Sequence, residues 1–178
     1  MTWRIVTYRL ETEGSRHRVG VWRELRKAGA VSLQNGTWAI PTGTDFDNAL
    51  ERATVLIERA EGKALVFDVT PTAASTAVLK ELFGNEREAE WGEFVSECAK
   101  FDAEIASEVA KEKFTLAELD EEEQNLDRLR RWYREIRTRD ILGAPSADVA
   151  ERRLKECAAV LEDFANQVYE ARHQPWAT

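Results

Sequence analysis

Cationic side chains crowd two stretches of this chain at spacings suited to gripping a tetrahedral anion. Arg16, Arg18, Arg23, Arg26 and Lys27 surround Trp22, with Glu24 the only carboxylate between Ser15 and Ala30. Arg130, Arg134 and Arg137 fall at i, i+4 and i+7, with Arg131 and Arg139 beside them. Guanidinium groups present forked donors that match phosphate and other oxyanions, so each stripe reads as an anion or DNA surface. Each also reads as a solvated helix face pairing with local acids, for example Asp127 with Arg131 at i+4. Other constellations carry less. Glu170 and His173 have the Glu-x-x-His spacing of di-iron bundles, but such a site needs two pairs, and the only other histidine is His17. Gly36 and Gly43 suit turns better than a phosphate loop. Cys98 and Cys157 lie at helical core spacing and are expected buried and reduced. No nucleophile–base arrangement emerges, and the run Asp120–Glu123 complements a helix start. The expectation is a non-enzymatic protein without metal or cofactor.

Charge is unevenly placed. The chain of 178 residues carries a formal charge of −8. Residues 1–71 hold ten Lys/Arg against nine Asp/Glu, whereas residues 72–178 hold fifteen against twenty-four. A nucleic-acid surface must therefore be local, because the field of the whole molecule opposes polyanions. No apolar run approaches the roughly twenty residues that span a bilayer, and Arg4 and Arg9 interrupt the N-terminal segment, so neither a signal peptide nor membrane attachment is expected. The expected location is the cytoplasm.

The elements that position these residues follow from periodicity. Trp3–Leu10 is rich in β-branched and aromatic residues and predicts a strand; a loop follows at Glu11–Gly14. Ser15 is a candidate N-cap for a helix with Val21, Trp22, Leu25 and Ala28 inward, stopped by Gly29. Asn35-Gly36 between alternating segments predicts a type I′ hairpin that places Gln34 opposite Thr37, Leu33 opposite Trp38 and Val31 opposite Ile40. A second helix is expected over Thr42–Gly62, with Phe46, Leu50, Val55, Leu56 and Ala60 inward, and a fourth strand over Lys63–Val69. This βαββαβ order is the ferredoxin-like split arrangement, with both helices on one sheet face. Beyond Pro71 the period becomes helical: a short helix to Phe83, ending at Gly84-Asn85, and then three longer ones. These carry Trp91, Phe94, Cys98, Phe101 and Ile105; then, after a Thr115–Glu118 capping box, Leu119 to Ile136; and last, capped by Ser146, Ala150 to Val168. The fold class expected is α+β: a ferredoxin-like domain at 1–71 and an antiparallel, coiled-coil-like helical bundle at 72–178.

The segments Trp3–Leu10, Arg18–Ala30 and Asn35–Pro41, together with Leu129–Pro145 and its Arg-x-Arg-Asp-x-x-Gly-Ala run, resemble the N-terminal domain of the chromate-resistance regulatory protein family ChrB. The resemblance implies a regulatory or sensing role, with transcriptional control of chromate resistance through contacts to DNA, chromate or another oxyanion. The order of elements is also similar to the ferredoxin-like domain of PaaX-type repressors and to small CRISPR-associated nucleases. Those nucleases hold metal with an aspartate after a tyrosine at the end of the first strand; Tyr8-Arg9 stands here instead, which removes the carboxylate that metal-assisted hydrolysis needs. The rival expectation is an interaction module, a homo-oligomer or a protein-partner platform, that binds no nucleic acid.

Overall fold

The computed structural model describes residues 2–10 and 15–173, with the side chains of Ser15, Thr44 and Asp45 excepted. The loop expected at 11–14 and the capping side chain of Ser15 lie outside the described residues. The order of elements is β1 (Trp3–Arg9), α1 (Ser15–Lys27), β2 (Val31–Gln34), β3 (Thr37–Pro41), α2 (Thr44–Arg59), β4 (Lys63–Val69), α3 (Ala73–Ala110), α4 (Leu116–Arg139) and α5 (Ala147–Arg172). The chain divides into two compact units, Met1–Glu86 and Arg87–Thr178.

In the first unit the strands are ordered β2-β3-β1-β4, and every neighbouring pair is antiparallel. That is the split βαβ topology expected from the order of elements. Val6 lies opposite Trp38, so the two share the face that packs under Val21 and Leu25 of α1 and Ala53 and Ile57 of α2. Arg4, on the same side of β1, bridges Asp68 of β4 at 2.7 Å and Asp47 of α2. These carboxylates hold its guanidinium above its usual range despite the opposing effect of burial. Trp3 points the other way and packs edge-on against Phe83, with ring centroids 5.9 Å apart. Gly29, at φ +83°, ends α1 as expected.

Three local expectations are corrected. The hairpin pairs Val31 with Ala39 and Ser32 with Trp38, not Val31 with Ile40 and Leu33 with Trp38; only Gln34–Thr37 stands. Of the two turn residues only Gly36 has a positive φ (+71°), so the turn is not type I′. A single left-handed glycine goes with a bulge, and Leu33 is the extra residue, left on the surface. Val55 of α2 is exposed, its expected inward place taken by Ala53 and Ile57. Finally, the helix predicted to stop at Gly84-Asn85 runs on as part of α3. A glycine inside a helix costs only about 1 kcal/mol relative to alanine, and Phe83, Arg87 and Trp91 are all buried along the same helix.

In the second unit, helices α3, α4 and α5 bury Trp91, Phe94, Cys98, Leu126, Ile136, Cys157 and Phe164 in one core. The Thr115 hydroxyl accepts from the Glu118 N–H at 3.3 Å, as the capping pattern predicts. Ser146 occupies the N-cap position of α5, but its side chain makes no cap bond. It donates instead to Glu88, whose other oxygen takes the Ser146 N–H at 3.0 Å.

Candidate nucleic-acid interface

Helical spacing sorts the cations of α1 into two adjacent stripes. Arg16, Arg23 and Lys27 recur at steps of seven and four, and Arg18, Trp22 and Arg26 at steps of four. Leu25 and Val21 point inward, as expected, but Trp22 does not: it is 44% exposed, which corrects the expectation of an inward ring. The reason is angular. Val21, Leu25 and Ala28 already fill the strip that meets the sheet, and Trp22 stands about 100° round from Val21.

The exposed indole lies beside a concave surface. An open groove of about 510 Å³ is lined by Trp22, Arg18 and Val19 of α1, Tyr8 and Leu10 from the end of β1, and residues 32–38 of the hairpin other than Leu33 and Thr37. Its floor is held in place by the backbone: the Tyr8 N–H donates to the Gly36 carbonyl at 2.7 Å, and a Cβ on Gly36 would meet the Tyr8 carbonyl oxygen at 2.5 Å. Burial pushes the Tyr8 phenol above its usual range, an effect that the neighbouring Trp38 indole opposes. The groove residues Tyr8, Gln34, Asn35 and Trp38 were read from sequence as strand and turn residues, not as site residues. The Asn-Gly turn is the signal that could have found them, because it folds Asn35 and Trp38 back towards the end of β1.

Ion pairing differs between the stripes. Arg26 pairs with Glu86 at 3.3 Å and stands 5.0 Å over the Trp22 ring. Glu24 is drawn to Arg52 of α2 at 3.6 Å rather than to its own helix's cations. Arg16, Arg18, Arg23 and Lys27 are exposed, and among the described residues no acid lies within ion-pair distance of Arg16, Arg23 or Lys27. The exposed stripe of α4 is more engaged. Arg130 pairs with Asp127 at 3.1 Å, the pairing expected for Arg131, and Arg134 donates to the Arg130 carbonyl at 3.2 Å. Arg137 is exposed and helps, after Lys155, to hold Glu151 below its usual range.

The Arg137–Ala144 run does something different from either stripe. Asp140 is buried, accepts from the Trp91 indole at 2.9 Å, and takes the N–H groups of Gly143 and Ala144 at 3.1 and 2.9 Å. Glu90 holds Arg87 at 2.9 Å and Arg139 at 3.3 Å. This segment is a lock inside the bundle. Cys98 and Cys157 are buried, as expected, and unlinked; the Cys157 thiol donates to the Cys98 carbonyl at 3.6 Å, and the proximity of the two thiols lowers the first and raises the second. His173 stacks on Tyr169 at 4.0 Å. Among the described residues no group of three or more His, Cys, Asp or Glu side chains could hold a metal ion, and no helix is long and apolar enough to cross a membrane.

A four-stranded antiparallel sheet interleaved with two helices and followed by a three-helix bundle defines a two-part α+β protein, whose most distinctive exposed feature is a basic helix beside an aromatic groove. Residues 18–175 match the family described as Protein ChrB, N-terminal, and the chain belongs to that family. The match begins within α1, so β1 lies outside it. No curated protein matches the chain.

Proposed function

We propose that the chain is a cytoplasmic, non-enzymatic regulatory protein of the ChrB N-terminal type that meets the phosphates of DNA through α1. The observation that carries this reading is the exposed stripe Arg16, Arg23 and Lys27, which meets no acid among the described residues while Glu24 turns to Arg52. Forked donors on an otherwise acidic molecule concentrate phosphate locally, and the surrounding negative charge discourages binding elsewhere. An oxyanion such as chromate is the alternative ligand, but a small anion prefers a concave site and this stripe lies along a convex helix. The test is duplex-DNA retardation by the full chain across a salt series. Binding should weaken steeply with salt, and Arg16→Gln with Arg23→Gln should flatten the log–log slope by roughly one unit per lost contact. Retained slope and affinity in the double variant would remove α1 from the interface.

The exposed apolar edge strand favours a second reading, a protein-partner module. Leu65 and Phe67 of β4 are 59% and 49% exposed on the strand that ends the sheet. A charged substitution at Phe67 that changes the sedimentation of the protein, or its capture of a partner, without changing DNA affinity would support that reading.

A further inference from the structure

We infer that the groove beside Trp22 takes an unpaired base of single-stranded nucleic acid, stacked on the Trp22 ring. The inference rests on the phosphate reading of α1 and names what the adjoining concavity adds to it. Four features converge. Trp22 is 44% exposed and lines the groove, and stacking on an aromatic ring is open to every base. Arg26 lies 5.0 Å over that ring, held by Glu86 at 3.3 Å, so the indole and guanidinium planes form a preset aromatic–cation surface rather than a loose side chain. The groove it borders, about 510 Å³, has the volume of a site for one nucleotide and carries the Gln34 and Asn35 amides, groups that both donate and accept at base edges. Arg16 and Arg23 stand on the neighbouring stripe of the same helix, where a backbone leaving the groove would meet them.

A duplex does not satisfy this arrangement. Its bases are stacked on each other and present only edges, whereas the Trp22 face needs an exposed base plane. A purely apolar protein segment is a poorer occupant, because the groove is lined as much by amide, hydroxyl and guanidinium groups as by carbon.

The test is fluorescence anisotropy of the full chain with a labelled fifteen-residue oligothymidylate, a duplex of the same length, and free thymidine monophosphate as competitor. The single strand should bind more tightly than the duplex at the same salt. Trp22→Ala should weaken the single strand by about tenfold, in line with loss of one stacked base. It should leave duplex binding within a factor of two, and Trp22→Phe should restore most of the loss. Unchanged single-strand affinity in Trp22→Ala, with duplex binding intact, would overturn the stacking inference and leave the phosphate reading standing. Absence of binding to either oligonucleotide at low salt would overturn the phosphate reading and the inference with it. Competition by thymidine monophosphate at concentrations comparable to the oligonucleotide would overturn the single-strand assignment in favour of a free nucleotide. An unchanged circular dichroism spectrum and melting temperature will show that each variant is folded.

Discussion

Arginine-rich segments occur in both units, and their side chains meet opposite fates. In α1, Arg16, Arg23 and Lys27 project into solvent from a helix whose inner strip of Val21, Leu25 and Ala28 is fully occupied by packing. Around residues 137–144, Arg139 and Asp140 turn inward, where Glu90 and the Trp91 indole take them up. The first arrangement leaves charge available to a ligand; the second uses charge to fix the turn between α4 and α5. Residue type and spacing are alike in the two places, so neither decides between them. What decides is whether a buried acid stands within reach. Glu90 does so for Arg139, whereas Glu24, the one acid of α1, is taken by Arg52.

The comparison can be broken first at the floor of the groove. Trp38 is 4% exposed and packs under α1. Trp38→Ala should lower stability by about 3–5 kcal/mol, the range for truncating a buried aromatic, measured by urea denaturation. A loss under about 1 kcal/mol would show that the groove has no fixed floor.

Next in size is the lock. Asp140→Ala strands the Trp91 indole N–H and the Gly143 and Ala144 N–H groups, which should lower stability by about 2–3 kcal/mol. The same variant should leave DNA affinity unaltered under conditions where it remains folded. A variant as stable as the parent would mean that the inward-facing region is not structural.

A smaller effect of opposite sign is expected at Glu122, which is buried in the bundle. Desolvation, aided by repulsion from Glu104, Glu121 and Glu108, raises its carboxyl above the ordinary 4.5, while Asn125 opposes the shift by donating to it. A raised folded-state pKa means that the native chain holds this proton longer than the unfolded one. The group therefore removes stability as pH rises through and above 4.5, and adds no such penalty below that value. Glu122→Gln should raise the urea midpoint at pH 7, and the gain should vanish near pH 4. Equal midpoints at pH 7 would show that the bundle tolerates this buried acid as an ordinary one.

The fold was legible because its signals are periodic: the strand boundaries of β4, the capping box at Thr115 and the seam from Trp91 to Ile105 all follow from spacing. The hairpin register was not, since Asn-Gly accommodates either two left-handed residues or one plus a bulge, and the choice lies in packing around Trp38. Nor was the continuity of α3 through Gly84, where burial of the flanking residues overrides a local stop signal. At the candidate site, the cations were visible as a composition of α1. The groove was not, because Tyr8, Trp22 and the Asn35–Trp38 hairpin come from three separate segments, and because a tryptophan at helical spacing reads as core.

The central claim is that the cations of α1, and not those of the bundle, contact nucleic acid. Its most direct test compares two triple variants of the full chain, Arg16/Arg23/Lys27→Gln and Arg130/Arg134/Arg137→Gln, each titrated with duplex DNA across a salt series. Each removes the same formal charge, so whole-molecule electrostatics change equally. The α1 variant should lose affinity and flatten the salt dependence by about two to three log–log units, while the α4 variant keeps the parent slope. Equal losses in the two variants, or loss confined to the α4 variant, would contradict the account.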